Sequence, residues 1–369
     1  MLRAVAMSSD FQQLITEARA KNQRRLHPRR VLAAKLATYL PASMRFKVCG
    51  LPGGLAPASA WKKKEAPLPP EAGGGTAFLA SIENGIACDF GAHLTADGLI
   101  IPELSPGANG PIMERFLIHQ RMLPDVAHRA GSVISLALDG HKNFFHWMYE
   151  VLPRWHIIKA SGLTHNGSVY TFLQHRFHRE SLALLGLVPA RIVDSASLPF
   201  LRADVLQVPS FVRSDEPWIC QWLRDSLLAP ALKHSSLHTR KRLYISRKQA
   251  RSRKIVNEPA LVELLKKYDF TEICLEDYAL SGQIALFHAA QAVVAPHGAG
   301  LTNLTFSESG AFALELIAQG LEGPFYERIA KSRNLRYQQI RCSLQNPADL
   351  YGSDIHVDLD AVKTALSQL

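Results

Sequence analysis

The chain has 369 residues, 47% hydrophobic and 20% charged, enough apolar sequence for about two domains of ordinary size; a fibre, a disulfide miniprotein and a fully disordered chain are excluded. A mean hydropathy of −0.02, without any apolar run of ~18 residues, argues against a transmembrane span. The net charge of +10 belongs to residues 1–65, with 13 Lys and Arg against 3 Asp and Glu; beyond them the signs balance at 29 each, which speaks against a nucleic-acid groove on the body.

The first residues, MLRAVAMSSDFQQL, lack the continuous apolar stretch of an export leader. Five scattered cysteines (Cys49, Cys88, Cys220, Cys274, Cys342) form no CxxC or metal-ligand spacing and fit a reducing cytoplasm. Phe11, Leu14 and Ile15, and then the run RRVLAAKLATYL, predict two short basic amphipathic helices. Such helices suit an anionic membrane surface, at the inner face of the plasma membrane, or packing on the body. Residues 41–75, rich in Pro, Gly and Ala and holding Lys62–Lys64, read as linker, so order is expected from about Thr76.

TAFLASI and GIACDF then predict strands, and Asp97-Gly98 a hairpin turn. An alternating series follows: strand 131–138, helix 144–161, strand 168–172, helix 177–186 and strands near 191–194 and 204–208. After a helix at 215–231 a second series runs: strand 242–246, helix 257–268, strand 271–275, helix 280–290, strand 292–296, a short helix from 301, strand 312–317 and a helix from 324. Boundaries at 1–75, 76–230 and 231–369 divide the chain into a basic segment and two α/β domains.

Polar residues follow the apolar strands of the second series: Ser246 and Arg247, Glu276, and His297, with Glu315 inside FALELI. In an open parallel sheet these positions share the carboxyl edge, where ligands bind. In PHGAGLTNL, Gly298 and Gly300 allow close backbone approach, and the turn that follows can offer N–H groups to a phosphate. Ala299 and Asn303 join that candidate set. The plainer reading is a tight turn with His297 packed or capping. RKQARSRK places Arg247 and Arg253 over the same edge as phosphate ligands; Lys248, Arg251 and Lys254 read as solvated charge, and Asn257 as a helix cap. In GHKNFFHWMYEVLPRWH, His146 and Glu150 share a helix face at i, i+4 and could be a base and its orienting partner, with Asp139 next in line. The only DxD, Asp358 to Asp360, reads as first-turn charge on the last helix, not as a metal clamp.

With NFFHWMYEVLPRW, LYISR…R…NE and APHGAGLTNLTF followed by Glu315 in this order, the chain resembles glycosyltransferase family 61 over about residues 76–345. The resemblance implies a GT-B architecture: two Rossmann-like domains facing across a cleft, here with a small β element before the first and a basic helical N-terminal segment. It implies inverting hexosyl or pentosyl transfer from a nucleotide sugar (UDP-xylose or UDP-GlcNAc in relatives) to a glycan or lipid-linked acceptor in capsule or lipopolysaccharide assembly. No essential metal or other cofactor is implied. Arg247 and the Gly298–Gly300 turn would then hold the diphosphate, Glu315 the ribose, and His146 or Glu150 would serve as base. A non-catalytic nucleotide- or glycan-binding module is the alternative, and a scaffold acting through its basic tail the third reading.

Overall fold

The computed structural model describes residues 56–72, 77–105, 126–163, 167–236 and 241–369. Residues 1–55, with both basic helices, the membrane expectation and Cys49, lie outside the described residues. Two sheets carry the fold. The first contains β1 (Lys62–Ala66), β2 (Ala77–Glu83), β3 (Ile86–Cys88), β4 (His93–Leu94), β5 (Ala127–Ser135), β6 (Ser168–Thr171), β7 (Ile192–Asp194) and β8 (Phe200–Pro209). Strands β7, β6, β5 and β8 lie side by side in that order and parallel; β2 and then β1 continue antiparallel beyond β8, and β3 pairs with β8 and β4.

The second sheet holds β9 (Lys241–Ile245), β10 (Phe270–Ile273), β11 (Ala290–Pro296), β12 (Phe312–Ala318), β13 (Arg336–Leu344) and β14 (Ile355–His356), in the order β10, β9, β11, β12, β13, β14. All but β14 run parallel. Every residue of β12 is buried, which is why FALELIA is a continuous apolar run rather than an alternation. Chain order reverses once in each sheet, between β5 and β8 and between β9 and β11. At such points the crossovers leave to opposite faces and open a crevice at the carboxyl ends.

Helices α1 (Phe144–His146), α2 (Arg154–Ala160), α3 (Arg176–Leu184) and α4 (Pro217–Lys233) accompany the first sheet; α5 (Glu258–Lys266), α6 (Leu280–Ala289), α7 (Phe325–Ser332) and α8 (Leu359–Leu366) accompany the second. One continuous apolar cluster includes Trp147, Ile157 and Trp218 from the first half and Leu243, Val293 and Leu304 from the second. The two sheets therefore share a buried core. Arg224 of α4 adds polar ties across it, donating to Phe306 O at 2.7 Å and pairing with Glu308. Among the described residues no helix is long and apolar enough to cross a membrane.

Three expectations change. The charge run in the expected linker is strand β1, paired from Lys62 opposite Ser81 to Ala66 opposite Ala77. Its backbone extends the sheet while exposed lysines guard the open edge, so composition alone concealed a strand. The helix expected at 144–161 is interrupted by a π turn at Trp147–Val151, where Leu152 N donates to Trp147 O, five residues back. Pro153, which has no N–H, follows at once. The expected helix from 301 is a 3-10 run, Ala299–Phe306. The Asp97-Gly98 hairpin is present, with Gly98 at φ 84° and Leu94 bridged to Ile100. Asp358 N-caps α8 by accepting from Asp360 N and Ala361 N, and Asp360 meets Lys363 Nζ at 2.7 Å.

Candidate functional site

Strands β9 and β11 end at Ile245 and Pro296, so Ser246–Arg247 and His297–Gly298 leave the second sheet side by side at its switch point. Gly298 has φ 172°, extended backbone open to any residue. Its need for glycine is spatial: a Cβ there would lie 2.2 Å from Arg247 Nη1. The absent side chain is the seat of the guanidinium. Arg247 Nη2 donates to Ser252 O at 3.2 Å, while Arg247 Nε and Arg253 Nε are buried without a hydrogen-bond partner among the described residues. Burial, and after it the charge of Arg253, lowers the Arg247 pKa. Two crowded guanidiniums with buried, unpaired N–H groups are costly unless an anion joins them. Ser246, Arg247, Glu276, Gly298, Ala299 and Gly300 line one cleft of about 390 Å³, whose opposite wall is Phe144, Arg176, Phe177 and Glu180 from the first half.

The first sheet's switch point has a different furnishing. Arg154 is fully buried and donates to Leu136 O (3.3 Å), Ala137 O (3.4 Å) and Pro209 O (2.9 Å), tying the ends of β5 and β8 together. Burial brings its pKa down to about 9. Above this floor lies a cavity of about 440 Å³ with Asp139, Glu150, Phe211 and Arg213 in its lining and Arg328 reaching in from α7. His146 Nδ1 is 2.9 Å from Glu150 Oε2. A carboxylate can only accept, so Nδ1 carries the proton and Nε2 of the neutral ring is left as a proton acceptor. This bond, ahead of all other influences, raises the His146 pKa. Helix α1 and the π turn that follows it thus run from Phe144, on the first cleft, to Glu150, on the second cavity, with His146 between them.

The family description Glycosyltransferase 61 matches residues 144–313, from the first residue of α1 into β12. Over these residues the chain is similar to glycosyltransferase family 61. Among curated proteins no relative matches it. The family 61 stretch contains His146, Glu150, Arg247, Arg253 and Gly298, and ends just short of Glu315.

Four expectations are corrected by this geometry. Glu315 is only 1% exposed, and its carboxylate accepts from His297 Nδ1 (2.5 Å), Gln339 Nε2 (2.8 Å) and the Tyr337 hydroxyl. It has no free face for a ribose. His297 takes the positioning role that its plainer reading allowed, fixed by Glu315 beneath and with its ring 5.2 Å from Tyr326. Asn303 is fully buried and donates to Gly300 O (3.2 Å) and Gln283 Oε1 (3.1 Å), bracing the turn from behind. Asn257 stands at the N-cap position of α5, but its side chain makes no cap bond and instead holds the Val357 backbone by two bonds, at 2.9 and 3.0 Å.

Sequence reasoning missed Phe144, Arg176, Phe177, Glu180, Tyr278 and Gln283 on the first cleft. A visible clue to one pair was the i, i+4 spacing of Arg176 and Glu180, which bond at 2.5 Å. Among the described residues no group of three or more His, Cys, Asp or Glu could hold a metal ion.

Proposed function

We propose that the chain is a GT-B glycosyltransferase that moves a sugar, with inversion, from a nucleoside diphosphate donor to a hydroxyl of a glycan or glycolipid. UDP is the nucleotide the resemblance implies, and surface polysaccharide assembly the setting. The carrying observation is Arg247, seated in the space left by Gly298, next to Arg253, at the switch point of a parallel sheet. Arg247 and Arg253 hold the diphosphate, and Glu276 and Ser246 border it. The half carrying the first sheet presents the acceptor.

In the reaction His146 Nε2 takes the acceptor hydroxyl proton as that oxygen bonds to the anomeric carbon. The bond from that carbon to the diphosphate oxygen breaks, and its electron pair stays on the leaving group, whose charge the two arginines offset. Glu150 holds the imidazole in the required tautomer. The net charge of +10 in residues 1–65 keeps the enzyme at an anionic membrane surface, and liposome association that weakens with salt would support that placement.

A thermal-shift panel of UDP, GDP, ADP and their sugars tests the reading. A ligand at 100 times its dissociation constant adds about 2.7 kcal/mol of stability. Stabilisation by one nucleotide class, followed by release of that nucleoside diphosphate when an acceptor is added, is expected. Binding without turnover would leave a non-catalytic module, and no binding would reject the donor site.

A further inference from the structure

A third cavity lies beside the acceptor side and has no part in the chemistry above. It is about 520 Å³, within the usual range of small-molecule sites, and is built around Trp61 and Phe78. Trp61 immediately precedes the edge strand β1, and Phe78 belongs to β2, on which β1 is paired. Their rings stack at 5.4 Å between centroids and 25° between planes, each half-buried against the core. Around them stand Lys63, whose ammonium is 5.9 Å from the Phe78 centroid, and the carboxylate of Glu103. Lys63 and Glu103 form no ion pair among the described residues, and Trp61 Nε1 is buried without an acceptor there.

Phe211 lines both this cavity and the one containing Asp139 and Glu150. The Arg154 guanidinium lies 5.5 Å from its ring and fixes it, so the two cavities share one rigid wall. We propose that the Trp61–Phe78 platform is a distal acceptor subsite that binds a saccharide unit remote from the reacting hydroxyl. This rests on the glycosyltransferase reading and deepens it.

The chemistry of the lining selects the ligand. The open face of the stacked aromatic pair matches the C–H face of a pyranose, and an ammonium and a carboxylate match its equatorial hydroxyls. A purely apolar ligand would bury those two charged groups unpaired. A polyanion would meet Glu103. A saccharide uses both sets at once, and the shared Phe211 wall leads from this platform toward His146 and Glu150.

The test uses the full chain and saturation-transfer NMR with linear tetrasaccharides of glucose, galactose, mannose and N-acetylglucosamine, each beside its monosaccharide. At least one tetrasaccharide should bind about tenfold or more tightly than its monosaccharide. Trp61→Ala should abolish that length advantage and leave monosaccharide binding as it was. Lys63→Met, at an exposed position that does not support the fold, should reduce it severalfold and covers the case in which Trp61→Ala unfolds. UDP affinity, measured on the same samples, should not change. A length advantage that survives both substitutions, or none in the unsubstituted protein, overturns the subsite. Loss of UDP binding in the unsubstituted protein would instead count against the transferase reading, whatever the saccharides do.

Discussion

The two sheets meet the same architectural problem with opposite uses of arginine. Each has a switch point at its carboxyl edge, and each places an arginine there. At the first, Arg154 donates from Nη1 and Nη2 to three backbone carbonyls and lies with its guanidinium over the Phe211 ring. At the second, Arg247 has a single carbonyl partner, an unpaired buried Nε and another guanidinium as neighbour. Arg154 Nε, like Arg247 Nε, is buried without a partner among the described residues, but three carbonyl dipoles face the first cation, so that crevice is closed beneath and structural. The second has one carbonyl acceptor and a neighbouring like charge, the shortage on which the proposed diphosphate site rests.

The largest effect should come from breaking the closed edge. Arg154→Ala leaves three buried carbonyls unpaired and opens a void, and should cost about 4–5 kcal/mol, seen as a shift of the urea midpoint. A midpoint close to that of the unsubstituted protein would mean that Arg154 is not what joins β5 to β8. Next comes His146→Ala, which should lower kcat by ~10²–10⁴ with the donor identified by the nucleotide panel, at unchanged donor affinity. Full turnover would remove α1 from the chemistry and pass the role to Asp139.

How much of this was readable depends on which force shapes each element. Apolar runs with polar exits, such as RLYIS and AVVAPH, announce both strand and edge, because burial dictates their composition. Strand β1 was invisible because its residues are exposed and only its backbone pairs. β5 begins at Ala127, not 131, since its first half is polar and the register breaks between Arg129 and Ser132, with Gly131 at φ 83°. Arg247 could be singled out from the charge run only because it follows the strand directly. Glu315 misled for a physical reason: a carboxylate in an apolar strand needs partners, and the partners came from β13, a half-exposed strand whose Tyr337 and Gln339 alternate at period two. The π turn that carries α1 on toward Glu150 depends on a shift of hydrogen-bond register, seen in Leu152 N to Trp147 O, which no composition records.

The open edge is sharpened by a smaller pair of effects. Arg247→Ala should weaken UDP binding by about 1.5–3 kcal/mol in calorimetry, without a change in melting temperature. Gly298→Ala adds a methyl where Arg247 Nη1 now lies and should lose less, because the guanidinium can swing aside while the extended backbone stays unstrained. The double substitution should bind no worse than Arg247→Ala alone, since both act through one group. Additive losses would show that Gly298 contacts the ligand directly and that the comparison of the two arginines is incomplete.

The smallest expected effect is a displacement along the pH axis. As the proposed base His146 must be neutral, so the rate should rise with pH through the His146 pKa, which the Glu150 carboxylate raises. Glu150→Gln keeps an acceptor for the Nδ1 proton but removes the negative charge, so the imidazolium loses its main stabilisation and the pKa falls. The rising limb of kcat should therefore move to lower pH. At high pH, where both forms are fully deprotonated, the plateau should drop modestly, because a less basic imidazole is a weaker general base. A kcat profile over about pH 5 to 9 reads both changes. Movement of the limb to higher pH, or no movement at all, would show that the titrating base is not His146, and the cavity containing Asp139 would then have to supply it from its own carboxylates.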